Sequence, residues 1–308
     1  MQRQNESQIR EFLLLGFSDY PNLQILLFVV FLFIYLFTIT GNLAILTLMC
    51  IDSRLHKPMY FFLSNLALLD ICLASCTLPK IMAISVMDNK AISFLGCMTQ
   101  LYLIMSFTGT EFYLLTAMAY DRYVAICNPL RYSIIMNKRV CALLSASSWV
   151  AGFLDVLPHS LSISYSSFCG HNKINHLFCD FQAMLKLSCS DASTIKLLMV
   201  TLNLSLVLGC FSLILTSYFH IISSILKIQS VEGRRKAFST CSSHLTVVVI
   251  YSGAVLFVYM RPLSMEIRPQ DKLLGALYNA VIPMLNPIIY SLRNKDVKDA
   301  LMKTTRRK

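Results

Sequence analysis

Met118-Ala-Tyr-Asp-Arg-Tyr-Val-Ala-Ile-Cys-Asn-Pro-Leu-Arg-Tyr132 closes a long apolar run with the triplet Asp121-Arg122-Tyr123, and Pro129 follows eight residues after Asp121. Proline lacks a backbone donor and disfavours helical backbone in the residue before it. The triplet therefore reads as the end of a helix that leaves an apolar environment.

Working outward from this stretch, the 308 residues are 56% hydrophobic and 14% charged, against about 25% charged in soluble domains. Crossing about 30 Å of hydrocarbon takes about 20 apolar residues in a helix. Seven stretches qualify, at 22–50, 58–78, 91–120, 140–158, 195–226, 237–260 and 272–292. The expected fold is an all-α membrane bundle of seven helices. Of the 27 Lys and Arg residues, 17 fall on one side of that arrangement. Basic residues of short loops stay on the cytoplasmic side, which puts the N-terminus outside. The organisation expected is an outer tail at 1–21, a seven-span body at 22–292 and a cytoplasmic tail at 293–308. Residues 295–307 read as a short amphipathic helix on the membrane, with Val297, Ala300 and Leu301 toward lipid. The net charge of +11 sits mostly on the inner face, where it meets anionic lipid and an acidic partner rather than nucleic acid.

Residues 1–20 lack a basic segment followed by an apolar core, so the first span is expected to direct insertion. Asn5-Glu-Ser7 is a glycosylation sequon in the outer tail. A second, Asn203-Leu-Ser205, lies inside an apolar span and is discounted.

The few polar groups within the spans need partners in hydrocarbon. Asn42, after Gly41, is expected to face the bundle interior. Asp70 is the sole charge in span two and Glu111 the sole charge in span three. At 1.5 Å per residue they stand about 18 Å and about 16 Å from the inner face. Two carboxylates at one depth suggest a bound sodium ion or a shared proton; hydrogen bonds to hydroxyls such as Ser64 or Thr108 are the alternative. In span seven, Asn286-Pro287 interrupts the helical ladder and reads as a pivot.

Eleven cysteines divide by compartment. Cys97, Cys169, Cys179 and Cys189 fall at the outer, oxidising face, where four cysteines allow three pairings. A zinc site using His171 and His176 is the rival reading, although the spacing fits no usual ligand framework. The segment from 159 to 194 is the longest outside the membrane and is expected to cover the bundle mouth. The connection at 227–236 is too short for a folded insert.

Six motifs run in order through nearly the whole chain: Gly41-Asn42, Pro58-Met-Tyr-Phe-Phe-Leu-Ser-Asn65, Met118 to Tyr132, Ser217-Tyr218, Lys236 to Leu245, and Pro283-Met-Leu-Asn-Pro-Ile-Ile-Tyr-Ser-Leu-Arg-Asn294. Together they resemble the class II (tetrapod-type) olfactory receptors, a branch of the rhodopsin-like G-protein-coupled receptors. The resemblance implies the disulfides Cys97–Cys179 and Cys169–Cys189. It implies that Arg122, flanked by Asp121 and Tyr123, is held by Asp121 or other inner polar groups at rest. Activation then frees it to meet a stimulatory heterotrimeric G protein and raise cyclic AMP, with Asn286, Pro287 and Tyr290 as the moving part of span seven. It also implies a small, apolar, volatile ligand in the outer half of the bundle. The expected lining is Ile104, Met105, Thr108, Gly109 and Phe112 in span three, Asn203 and Val207 in span five, Tyr251, Val255 and Tyr259 in span six, and Tyr278 in span seven. The implied location is the plasma membrane, in sensory cilia if the tissue is olfactory. One departure from other rhodopsin-like receptors is Tyr251, which stands where a tryptophan is usual in span six.

Other seven-span classes fit less well. A retinal-binding opsin needs a lysine in span seven, and 273–292 holds none. A transporter is expected to show internal repeats or paired broken helices, and neither is visible. No nucleophile–base or metal-ligand cluster points to an enzyme. A chemosensor in a non-olfactory tissue would carry the same sequence.

Overall fold

The computed structural model describes residues 10–17, 21–87, 90–168, 172–189, 193–259, 269–293, 297–300 and 302. In chain order its helices are α1 (Gln24–Ile51), α2 (Pro58–Val86), α3 (Phe94–Cys127), the single turn α4 (Tyr132–Ile135), α5 (Lys138–Ser164), the short α6 (Phe181–Leu187), α7 (Ser193–Leu226), α8 (Val231–Tyr259) and α9 (Pro269–Arg293). All but α4 and α6 are long, and these seven carry the seven expected spans. Among the described residues, five hold a stretch apolar and long enough to cross a membrane: α1, α2, α5, α7 and α9. The axis of the bundle is α3, which packs against α2, α5, α7 and α8, while α1 leans on α2 and α9. Its position explains its composition: Gln100, Ser106, Thr110, Glu111, Asp121 and Arg122 are all buried on it, facing protein rather than lipid.

Local signals set the helix ends. Lys57 is extended and Pro58 takes the first turn of α2, where its missing donor costs nothing. Ser93 caps α3 by accepting from the Gly96 amide, and Asn137 caps α5 by accepting from the amides of Arg139 and Val140. Hydroxyls inside the spans mostly return to the carbonyl four residues back, as Thr38, Thr47, Thr77 and Thr110 do. Such a bond satisfies a polar group that lipid cannot.

Several boundaries differ from the sequence reading. The third helix does not end at the triplet but runs four residues beyond Tyr123, to Cys127, and stops at the non-helical Asn128 before Pro129. The sixth starts at Val231, because Ser230 accepts from the Gly233 amide and so caps it. Only 227–230 then separate α7 from α8. In the tail, Val297 and Ala300 are not turned to lipid. Both are buried in the main core, which also removes two apolar groups from the membrane-facing side of the expected amphipathic helix; the side chain of Leu301 lies outside the described residues.

The outer face is built, not loose. Strand β1 (Glu11–Leu14) lies between β2 (Ala91–Ser93), antiparallel, and β3 (Lys173–Ile174), parallel. Phe12 and Leu14 point inward with the period of a strand and are fully buried against Ile84, Cys97, Ile174 and Phe181. The expected outer tail thus contributes a structural strand at 11–14. The Cys97–Cys179 disulfide ties the top of α3 to the segment after α5. Cys189 is disulfide-bonded, and its neighbours pair with 167–168 through Cys189 N–H to the Ser167 carbonyl and a Phe168–Ser188 bridge. Cys169, its expected partner, lies outside the described residues, as does Asn5.

Backbone contact between α3 and α5 depends on Gly152. A methyl group there would fall 2.6 Å from the Thr110 nitrogen and 2.8 Å from its Cα. At Gly109, facing it, a methyl would meet Gly152 at 3.6 Å, ordinary contact. Gly152→Ala should therefore cost about 1–3 kcal/mol by overpacking, read as a fall in the thermal unfolding midpoint of the purified protein. Gly109→Ala should cost much less, and equal midpoints for Gly152→Ala and the parent would disprove the tight crossing.

Candidate functional site

Pro287 has no backbone N–H, so the carbonyl of Pro283, one turn earlier in α9, loses its helical donor. Asn42 of α1 replaces it: its Nδ2 donates to the Pro283 carbonyl at 3.2 Å and to its own Thr38 carbonyl at 3.0 Å. Asn42 therefore faces the interior as expected, 1% exposed. The close approach is possible because Gly41 lies against the Pro287 ring, where a methyl would come within 3.3 Å.

One residue before Pro287, Asn286 donates through Nδ2 to both carboxylate oxygens of Asp70, at 3.1 Å each. Glu111 on α3 is fully buried, and neither of its oxygens has a hydrogen bond among the described residues. Of the two hydroxyls named as alternatives, Ser64 donates to the Tyr60 carbonyl and Thr108 to the Ile104 carbonyl.

Above this layer the structure brings together Thr108, Phe112, Tyr251 and Tyr278. Tyr251 is fully buried and donates to the Thr108 carbonyl at 2.7 Å. Its ring sits 4.8 Å from Phe112 and 5.8 Å from Tyr278. The Tyr278 hydroxyl is buried with no partner among the described residues. Ile104 and Val207 are buried in the same core. Two of the expected lining residues point elsewhere. Gly109 faces Gly152 on α5, and Met105 packs into the outer cluster under the sheet. Neighbours on a helix are about 100° apart, so one step in sequence leaves the facing stripe. The side chains of Asn203, Val255, Tyr259 and Tyr290 lie outside the described residues.

At the inner end, Asp121 does not hold Arg122. The Tyr132 hydroxyl donates to Asp121 Oδ1 at 2.8 Å, and among the described residues the ion pair within 4 Å is Arg54–Asp52. Adjacent positions on a helix diverge, which turns the Asp121 carboxylate toward the connection after α3 and Arg122 toward the bundle. Burial, and then the Asp121 charge, push the Tyr132 hydroxyl up, so it remains a donor. Arg122 is 6% exposed, and one of its terminal nitrogens has no partner among the described residues.

Near it lies a bond set the sequence reading missed. His244 of α8 contacts the Leu115 carbonyl of α3 through Nε2 at 3.1 Å and the Tyr218 hydroxyl of α7 through Nδ1 at 2.8 Å. A carbonyl only accepts, so Nε2 carries the hydrogen and the neutral ring accepts from Tyr218 at Nδ1. Three helices meet at one imidazole. Likewise Trp149 of α5 donates to Asn65 of α2. Gln100 of α3 donates to the Cys76 carbonyl of α2 and accepts from the Cys179 amide. The signal was available, since each is a polar group within an apolar run, as Asn42 is.

Over the outer end of α9, His176 is buried with its ring edge-on to Phe178 at 4.5 Å and above Gly275. Burial holds its imidazole below the ordinary value; Asp180 opposes that and Lys272 adds to it. No group of three metal-ligating side chains converges among the described residues, and His171 of the zinc reading lies outside them.

Comparison with known proteins places these features in context. A family model described as olfactory receptor matches residues 31–308. The chain is 48% identical over 304 residues to olfactory receptor 5G9 of Mus musculus, covering 99% of this chain and 97% of that protein. It is 47% identical over 304 residues to olfactory receptor 5I1 of Homo sapiens, with coverage of 99% and 97%. Olfactory receptor-like protein OLF1 of Canis lupus familiaris is 46% identical over 304 residues, with coverage of 99% and 98%.

Replacing Asn42 by Leu orphans the Pro283 carbonyl and should destabilise the fold by about 1–3 kcal/mol, measured by thermal unfolding; an unchanged midpoint would show that the carbonyl finds another donor. Acid should also weaken the outer face. An unfolded histidine takes up a proton below about pH 6.5, whereas buried His176 resists protonation. Its stabilising contribution is complete above that pH and is lost as pH falls through and below it. The midpoint of the parent should drop between pH 7.5 and 5.5 by more than that of His176→Gln, and parallel pH profiles would reject the assignment.

Proposed function

Because this chain belongs to the olfactory receptor family, we propose that it is an odorant receptor that binds small, mostly apolar volatile molecules and signals through a stimulatory heterotrimeric G protein. It is a multi-pass membrane protein of a receptor family, not an enzyme, and its site of action on this reading is the plasma membrane of sensory cilia, with Asn5 glycosylated. The ligand sits in the outer half of the bundle near Ile104, Thr108, Phe112, Val207, Tyr251 and Tyr278. Of the described side chains there, most are apolar or aromatic, with the Tyr278 hydroxyl open to one hydrogen bond. Such a lining favours neutral molecules held by packing, with modest affinity.

The observation that carries the reading is the inner cluster, where Arg122 is buried with no ion pair among the described residues, beside the His244 junction of α3, α7 and α8. Outward movement of α8 breaks the bonds from His244 to Leu115 and Tyr218 and uncovers Arg122 for the G protein. Each such bond contributes about 1 kcal/mol net. A ligand that prefers the open packing ten- to a hundredfold supplies about 1.4–2.8 kcal/mol. The two quantities match, so a weakly bound odorant suffices to shift the population. Asp121 and Tyr123 frame Arg122, and Asn286, Pro287 and Tyr290 form the hinge of α9. Asp70, Glu111 and Asn286 are the groups that would hold a sodium ion or share one proton. The buried Glu111 oxygens, without a hydrogen bond of good geometry among the described residues, fit either.

Arg122→Ala should abolish the cyclic-AMP response to a volatile panel in cells while surface display stays near the parent level. A full response from the variant would remove Arg122 from coupling.

A further inference from the structure

A groove of about 670 Å³ runs down the side of the bundle, where α5 and α7 both pack on α3 but touch each other less. It opens to the membrane: Leu213 on its edge is 60% exposed, and a methyl group added at Gly209 would meet nothing within 4 Å. Toward its outer end stands Asp155, the sole carboxylate of α5, half-buried and inside the span. Tyr113 of α3 and Cys210 of α7 are close enough to feel its charge, and Cys210 lies beside Thr116. His159 also acts on this carboxylate, from one turn outward on α5. Its ring bonds to the α5 backbone and lies edge-on to Phe181, and no ion pair joins it to Asp155 within 4 Å.

The lining is rich in acceptors. Thr116, Ser147, Ser148, Ser205 and Ser217 each donate their hydroxyl hydrogen to a carbonyl of their own helix. What they offer the groove is therefore a lone pair. The hydroxyls of Tyr113 and Tyr120 can act either way, and none of the described lining residues is basic. An anionic lipid would be repelled by Asp155, and a neutral alcohol brings one donor and no charge. A primary ammonium brings three donors and the positive charge that suits a carboxylate in hydrocarbon. From Asp155 to Leu144 the groove extends about 16 Å along α5, a length that a long alkyl chain fills and a small volatile amine does not.

We propose that this groove binds a single-chain lipid amine from the membrane, its ammonium on Asp155 beside the Tyr113 and Thr116 oxygens and its chain past Gly209 toward Leu144 and Leu213. The occupant has a consequence for the inner cluster. Ser217 lines the inner end of the groove, and the next residue, Tyr218, donates to His244. A chain lying along α7 holds that helix in place against α3 and so favours the closed packing, lowering the cyclic-AMP response. That consequence rests on the coupling role proposed for the His244 junction; binding of the amine does not.

The test uses the full chain in phosphatidylcholine nanodiscs, with sphingosine as the probe and its retention read by native mass spectrometry. The parent should retain sphingosine, and Asp155→Asn should weaken retention about ten- to a hundredfold, the effect of one hydrogen bond to a charged group. Gly209→Leu, which grows into open space, should weaken it comparably by filling the groove. A control that removes a carboxylate elsewhere, Glu232→Gln, should retain the probe as the parent does. Parent-like retention by both Asp155→Asn and Gly209→Leu would overturn the site, and equal loss in Glu232→Gln would reduce it to general charge attraction. N-acetylsphingosine, which keeps the chain and hydroxyls but carries no amine charge, should be retained far less; equal retention would overturn the ammonium as the recognised group. Hexylamine should fail to displace sphingosine at equal concentration, and displacement would overturn the long chain. If retention behaves as expected but sphingosine leaves the cyclic-AMP response of the parent unchanged, the amine site stands and its link to coupling is rejected.

Discussion

A proline in a membrane helix leaves a carbonyl that no water can reach, and this chain is organised around satisfying one. The Pro283 carbonyl, freed by Pro287, takes its hydrogen from Asn42 of α1. For the amide to arrive, α1 must approach α9 closely, which Gly41 permits against the Pro287 ring. Next to Pro287, Asn286 is anchored by both oxygens of Asp70 on α2. Three helices are thereby tied by bonds whose loss would strand polar groups in hydrocarbon, where each costs several kcal/mol.

The rest of the bundle hangs on α3. Its crossing with α5 is fixed by the absence of a side chain at Gly152, and fixed spacing in turn sets which faces of α3 meet α2, α7 and α8. The outer end is stiffened differently, where water competes for hydrogen bonds. There a disulfide, a three-stranded sheet and the buried side chains of Phe12 and Leu14 form a cap. Gln100 links cap to bundle by bonding α2 and the Cys179 amide together.

Function on this frame is a matter of small differences. Among the described residues, the inner cluster is held by individually weak bonds at His244 and Tyr132, not by a strong ion pair at Arg122. A strong buried pair would resist opening; single hydrogen bonds let a ligand of modest affinity move the balance.

Residue order by itself determined the spans, their direction and the family, because hydrophobic length, basic asymmetry and motifs are local properties. It also placed Asn42 inward, since an amide in lipid has few other choices. Where a second element supplies the partner, local pattern was silent or misleading. The carboxylate of Asp121 turned to Tyr132 rather than Arg122, Val297 and Ala300 turned to the core rather than lipid, and Gly109 came to lie against Gly152 of α5. His244 and Gln100 gained their importance only from what α3, α7 and the outer segment place beside them. Which carbonyl lacks a donor, and which side chain reaches it, follow from how helices cross; only the packed bundle decides that.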